Sequence, residues 1–212
     1  MRAKKVYRLL ISGPSAVGKG VVIMRLLGLL TERGKRARLT VSYITRPIRL
    51  REKDGREYHF VTKEVFEEMA KSDKFAEVNT YSENWYGTPS ESLIPLPDDD
   101  VIVTELDVNG AKNLRRYYRN EGIPYRSLYI LPEGRSTSER LQTLQGCLER
   151  RGDNDAEDIQ RRLAIAKKEL SPSVFRSFSE HFINRYVEED SERGLAAAKG
   201  IVEYLEHEHI LN

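Results

Sequence analysis

Cysteine is almost missing from this chain. Cys147 is the only one in 212 residues, so no intrachain disulfide can form, and a reducing, cytosolic setting fits. Cys147 itself reads as a small, half-buried apolar residue rather than a reactive thiol. Charge of one sign is missing too: 35 Lys and Arg face 33 Asp and Glu, interspersed, for a formal net charge of +2. General nucleic-acid binders and membrane-surface binders need a one-signed face, so neither partner is expected; a local basic pocket remains compatible. Long apolar runs are also missing. The first one, Val6 to Ile11, is too short to span a membrane. The preceding Met1-Arg2-Ala3-Lys4-Lys5 leads to no cleavage-type site, so no targeting signal is read and a cytoplasmic location is expected. No internal repeat or low-complexity tract stands out. What remains is a chain with 39% apolar and 32% charged residues, long enough for one domain with a real core.

Strand and helix signals alternate along it. Val6 to Ile11, bounded by Ser12-Gly13-Pro14, predicts a buried strand. A helix is predicted from about Gly18 to Glu32, with Ile23, Leu26, Leu27 and Leu30 on one face and Gly34 as its stop. Leu39 to Tyr43 reads as one short strand, and Thr62 as the cap of a helix carrying Val65, Phe66 and Met69. The aromatic stretch through Tyr81, Trp85 and Tyr86 reads as a loop. Asp98-Asp99-Asp100 reads as a solvated turn rather than a metal site. Further strands are predicted at Val101 to Leu106, Leu128 to Leu131 (stopped by Pro132) and His181 to Asn184. Helices are predicted from about Val108 to Asn120 and from a Ser136/Glu139 capping box to Arg150. After a break at Gly152 to Asp155, two more run from Ala156 to Leu170, capped by Asn154, and from Glu188 to Glu206. Such alternation gives right-handed βαβ units and an α/β fold with a parallel sheet covered on both faces.

Gly13-Pro14-Ser15-Ala16-Val17-Gly18-Lys19 fits the phosphate-binding pattern G-x-x-x-x-G-K, placed between a buried strand and an amphipathic helix. The glycines let successive backbone N–H groups turn toward one centre. The helix adds its positive N-terminus, and the lysine reaches the β- and γ-phosphates. The donor site is therefore Gly13 to Gly20, with ATP as the phosphate donor. The usual pattern ends in Ser or Thr, whose hydroxyl holds Mg²⁺, and here Gly20-Val21-Val22 supplies none. The Mg²⁺ that accompanies ATP is then expected to be held mainly by water and the phosphates, which this ion tolerates.

The acceptor is signalled by Ser42 and by Thr45-Arg46-Pro47-Ile48-Arg49-Leu50-Arg51-Glu52-Lys53-Asp54-Gly55-Arg56-Glu57-Tyr58-His59-Phe60. Arginine forks in a short segment beyond a strand suit the oxygens of a monophosphate dianion. Here the sequence resembles the guanylate kinase family, which shows a serine followed by T-R-x-x-R-x-x-E-x-x-G-x-x-Y-x-F. Glu77 and Asn84-Trp85-Tyr86-Gly87-Thr88-Pro89 look like its E…N-Y-Y-G-T/S-P segment. Glu105-Leu106-Asp107-Val108-Asn109-Gly110 looks like its D-x-D-x-Q-G motif. Arg150-Arg151-Gly152 and Arg161-Arg162-Leu163 resemble its arginine-rich lid, and Asn184 falls where the family has an asparagine after the last strand. The resemblance covers nearly the whole chain.

It implies a P-loop NTPase fold in one domain: a core of residues 1–41, 91–133 and 166–212, a GMP-binding segment 42–90, and a helical lid 134–165. It implies that Arg46, Arg49, Tyr58 and Tyr86 hold the GMP phosphate, that Glu77 accepts from guanine N1 and the 2-amino group, and that Ser42, Thr88 and Asp107 complete the base pocket. Asn184 joins the ATP site, and Glu105 is an indirect metal group. Lys19, Arg46, Arg150, Arg151 and Arg162 become the catalytic set. The reaction implied is transfer of the ATP γ-phosphate to GMP, with dGMP as a further acceptor. Three features depart from the family: a lid helix about two turns longer than usual, Cys147 where an arginine is common with Arg150 as its substitute, and a short Ser90–Asp100 segment where a helix is usual. Two other readings stand beside this one. A non-catalytic interaction module of the same fold would be expected to lose Lys19 and part of the arginine set; a related kinase would take another nucleotide or a ribose phosphate.

Overall fold

A computed structural model describes residues 5–49, 52–81, 83–152, 155–187, 189 and 191–211. Five strands form the central sheet: β1 (Tyr7–Ser12), β2 (Ala37–Leu39), β7 (Val101–Glu105), β8 (Arg126–Pro132) and β9 (Glu180–Asn184), in the order β2-β7-β1-β8-β9. All four pairings are parallel. A sheet buried on both faces needs continuous apolar runs rather than alternation. Leu9, Leu10, Ile11, Val101, Ile102, Val103, Leu128 and Ile130 accordingly are fully buried.

Helix α1 (Lys19–Glu32) lays Val22, Ile23, Leu26 and Leu30 on this sheet. It packs beside α7 (Leu195–His207), which buries Ala198, Ile201, Val202 and Leu205. Helix α3 (Val108–Asn120) contributes Ala111, Leu114 and Tyr118. Helix α4 (Thr137–Arg151) packs against α5 (Ala156–Glu169), and the short α6 (Pro172–Phe175) follows. Ser136 Oγ accepts from the Glu139 amide at 3.1 Å, so Ser136 caps α4 as read from sequence, while Glu139 reaches one residue past the cap to the Arg135 amide at 3.0 Å.

A second, four-stranded sheet has the order β4-β3-β6-β5, from β3 (Ser42–Ile44), β4 (Tyr58–Phe60), β5 (Phe75–Tyr81) and β6 (Asn84–Pro89). β3 pairs parallel with β4 and antiparallel with β6, and β5 and β6 form an antiparallel pair. Helix α2 (Lys63–Lys71), capped by Thr62, packs Phe66 against Phe75 and Trp85 on one face of it. Its β5 edge leans on α3.

Five sequence expectations change. The single strand 39–43 is two strands in two sheets, because the chain leaves β2 at Thr40-Val41 and re-enters as β3. The aromatic loop is the β5–β6 pair. The terminal helix begins at Leu195, after Gly194 takes a left-handed φ of 73° against the backbone of Val22; Glu188 lies outside the described residues. The α5 cap is Asp155, whose side chain accepts from Asp158, and Asn154 lies outside the described residues. The acidic run is not simply solvated. Asp99 is buried and accepts from Arg38 Nε at 2.8 Å and the Leu96 amide at 2.9 Å, while Asp100 accepts from the Arg36 amide at 2.8 Å. Asp98 pairs with the Arg36 side chain, so the run clasps the basic end of β2. Among the described residues no group of three or more His, Cys, Asp or Glu could hold a metal, and no helix is long and apolar enough to cross a membrane.

Candidate active site

The chemistry-bearing residues collect where the parallel strands end. The loop 13–18 follows β1, Glu105 ends β7, and Asn184 ends β9. Open α/β sheets hold ligands outside the carboxyl ends of their strands, where the connections diverge to either side. β1 lies between β7 and β8, so the loop after it sits at such a point.

The loop is built around its glycines. Gly18 has a φ of 86°, a left-handed conformation that a side chain resists, and a Cβ there would meet Asn184 Nδ2 at 2.7 Å. That amide donates to the Val17 carbonyl at 2.8 Å, so Asn184 braces the loop from β9. Lys19 Nζ donates to the carbonyls of Gly13 at 2.9 Å and Pro14 at 3.3 Å and lies 3.9 Å from Glu105. The ammonium is therefore held over the loop before any ligand arrives. No side chain caps α1 at Gly18, which leaves the amides of its first turn for an anion.

Glu105 answers the missing hydroxyl at Gly20. A Cβ on Gly20 would stand 3.8 Å from Glu105 Oε2, so the carboxylate covers the place where a Ser or Thr side chain would project. A single hard oxygen donor beside phosphate oxygens and water fits Mg²⁺.

In the second sheet, Arg46 is gripped by Glu52 through Nη2–Oε1 at 2.5 Å and Nη1–Oε2 at 2.6 Å, and its guanidinium lies over the rings of Tyr58 and Phe60. Glu52 also accepts from the Arg49 amide at 3.0 Å. Burial alone would raise the Glu52 carboxyl, but the Arg46 fork and that amide hold it below its ordinary range. Tyr58 and Tyr86 meet edge to face, with ring centroids 6.0 Å apart. Burial pushes both phenols up, and the charge of Glu105 adds to the push on Tyr58.

Deeper in, Glu77 is buried and pairs in register with Thr88 across β5 and β6. Thr88 Oγ1 donates to Glu77 Oε1 at 2.8 Å, Asn79 Nδ2 donates to Oε2 at 3.3 Å, and Ser42 Oγ lies 3.4 Å from Thr88 Oγ1. Burial pushes the Glu77 carboxyl up to about 7, against those two hydrogen bonds. Asp107 caps α3 with one oxygen, accepting from the Gly110 amide at 2.6 Å, and its Oδ2 is buried with no partner. Burial raises its carboxyl as well.

The lid arginines divide. Arg162 donates from Nη1 to Ser15 Oγ at 3.0 Å and from Nε to Asp158 at 2.6 Å, so it already touches the phosphate loop. Arg150 lies 3.9 Å over the Tyr186 ring, beyond β9, with Nη2 3.4 Å from Cys147 Sγ. Arg151 is exposed at the last position of α4 and is not brought to the loop. Sequence reasoning missed Asn79, Asp158 and the Ser15 contact. Asn79 was findable: on a strand, two residues past Glu77 means the same face.

The family model described as "Guanylate kinase" matches residues 5–192 of this chain. The chain belongs to the guanylate kinase family. A guanylate kinase of Prochlorococcus marinus (strain MIT 9312) is 31% identical over 87% of this chain and 92% of its own length. One of Nitratidesulfovibrio vulgaris (strain Hildenborough) is 38% identical over 83% of this chain and 78% of its own. The crystal structure of guanylate kinase from Anaplasma phagocytophilum superposes with a TM-score of 0.65 at 24% identity, covering 98% of this chain and 88% of that one, and supports the P-loop NTPase-type fold.

Proposed function

We propose that this guanylate kinase family member transfers the γ-phosphoryl group of ATP to GMP, giving ADP and GDP, and that it also accepts dGMP. One observation carries the reading: a buried carboxylate, Glu77, is hydrogen-bonded to Thr88, which lies beside Ser42, on the same sheet that leads into the Arg46 segment. Guanine offers N1–H and a 2-amino group to such a carboxylate. Adenine offers no N1–H, and leaving Glu77 unpaired in a buried site is costly enough to discriminate by roughly 10⁴-fold.

Phosphoryl transfer leaves the protein little covalent work; it positions groups and neutralises charge. Lys19 and the amides of 13–20 hold the donor phosphates, braced by Asn184. Arg46, Arg49, Tyr58 and Tyr86 hold the acceptor phosphate. Asp107 closes the base pocket beside Thr88. Glu105 is the residue that would help hold the Mg²⁺ that accompanies ATP, and that ion would supply positive charge to the donor phosphates. The segment 42–90 is the acceptor arm, 134–165 the lid, and the remainder the core. Of the lid arginines, Arg162 is assigned the transferring phosphoryl, Arg150 the donor's outer edge, and Arg151 a place that only closure could provide. ATP and GMP are the small-molecule partners, and the reaction belongs in the cytoplasm.

A coupled assay with GMP, dGMP, AMP and UMP as acceptors tests the reading. GMP turnover should exceed AMP and UMP turnover by at least a hundredfold, and Lys19→Ala should abolish it while the far-UV spectrum stays native. Wild-type turnover by that variant sinks the donor-site assignment. An interaction module would show no turnover at all, which the retained Lys19, Ser42, Arg46, Arg49 and Glu77 argue against.

A further inference from the structure

Glu77, Asn79 and Tyr81 project from one face of β5, while Val78 between them turns outward and is 40% exposed. Asn79 is thus the next side chain along the strand from the base-reading carboxylate. Its amide has two unlike ends. Nδ2 donates to Glu77 Oε2 at 3.3 Å, and a carboxylate neighbour demands that the donor end face it. Oδ1 is then turned away from Glu77, and it is buried with no hydrogen-bond partner. The amide is held from its other side by the first turn of α3, where Gly110 makes room: a Cβ there would come within 2.7 Å of Nδ2.

The donors already spent in this pocket define what remains. Glu77 Oε1 takes the Thr88 hydroxyl and Oε2 takes Asn79, with the Thr88 amide also bonding the carboxyl, which fills part of its acceptor capacity and leaves the rest for a ligand. Asp107 Oδ2 and Asn79 Oδ1 have no partner. The pocket therefore offers acceptors in excess, and a buried acceptor without a donor is costly. It awaits a ligand edge carrying several N–H groups. The guanine edge has three hydrogens, one on N1 and two on the 2-amino group, and a single carboxylate can take only two of them.

Resting on the guanylate kinase reading above, we propose that Asn79 is a specificity-determining residue of the acceptor site: its Oδ1 accepts the second hydrogen of the guanine 2-amino group, and its Nδ2 sets the carboxylate that takes the first. The discrimination it adds is between purine monophosphates that share N1–H and differ at C2, namely GMP against IMP. Glu77 alone cannot make that distinction fully, because both bases present N1–H to it.

The experiment measures kcat and KM for GMP and IMP with wild type and Asn79→Ala, at saturating ATP. The preference for GMP over IMP in kcat/KM should fall by about three- to tenfold in the variant, the worth of one hydrogen bond, with the loss in KM for GMP rather than in kcat. Equal losses on both acceptors, or an unchanged preference, overturn the inference. A chemical probe on the unaltered protein guards against a variant that folds poorly: N2-methyl-GMP, which lacks the second hydrogen, should bind wild type several-fold more weakly than GMP, and equal binding overturns the inference. Wild-type protein inactive on GMP overturns the kinase reading and this inference with it. Active wild-type protein with an unchanged GMP-to-IMP preference in Asn79→Ala overturns this inference alone.

Discussion

A single carboxyl carries the pH behaviour of the acceptor site. In its proposed role Glu77 would accept from guanine only as carboxylate, yet burial lifts it to about 7 in the free protein. Below that pH the free protein holds a proton that binding must expel; above it, none is expelled. GMP affinity should therefore be flat from pH 7.5 upward and fall below 7, approaching tenfold per pH unit. The phosphate of GMP titrates near 6 and bends the same curve, so Glu77→Gln is the control: its profile keeps only the phosphate's part. Titration calorimetry from pH 5.5 to 8.5 separates the two, and identical profiles for variant and wild type would refute the role of Glu77. Asp107 is the charged neighbour that adds to the rise, while Thr88 and Asn79 oppose it. The other end of the acceptor is set differently. The Glu52 carboxyl is held low by the Arg46 fork, so it stays ionised through this range, and the phosphate must be received by an arginine already shared with a carboxylate. Sharing fixes the guanidinium's direction in advance, which lowers the ordering cost of binding.

At the scale of elements, legibility follows whether a residue's job is packing or chemistry. β1, α1 and α3 were readable because their apolar spacing matches their burial, and α4 because Ser136 and Glu139 form a real cap. β5 was not, because its one buried position is a glutamate, Glu77, and a valine, Val78, is one of its two exposed ones. That inversion is what the proposed role asks for, a strand whose inner face would read a polar ligand. β2 and β3 merged into one because three-residue strands leave no room for a period to show. The candidate site residues come from the phosphate-loop pattern and the family motifs; the contacts between them were not legible there, since Arg162 and Ser15 are far apart in sequence and meet only through the fold. The α4 cap gives an element-level prediction. Ser136→Ala removes the acceptor for the Glu139 amide and should lower stability by about 1 kcal/mol, read as a shifted urea midpoint with an unchanged slope. Ser136→Asp should restore it.

Across the whole molecule, Arg162 ties the segment 134–165 to the phosphate loop. Arg162 reaches from α5 to Ser15 while Asp158, one turn back on the same helix, takes its Nε. Burial would raise Asp158, but Arg162 and Arg161 hold it below its ordinary range, so the pair persists near neutral pH. A guanidinium anchored this way arrives at the loop with its direction fixed, and a phosphate with developing charge is a stronger acceptor than the Ser15 hydroxyl. If Arg162 exchanges Ser15 for the transferring group, its contribution belongs to the transition state. Arg162→Ala should then lower kcat by about a thousandfold while KM for ATP and GMP moves only a few-fold. Arg162→Lys should recover little, because an ammonium cannot hold Asp158 and the phosphoryl oxygens with one planar fork. Ser15→Ala, which removes only the resting partner, should cost far less than Arg162→Ala. Steady-state kinetics on the three variants decides the matter: a loss in kcat below tenfold for Arg162→Ala, or an equal loss for Ser15→Ala, would make this contact a structural tie between lid and loop rather than part of the transfer.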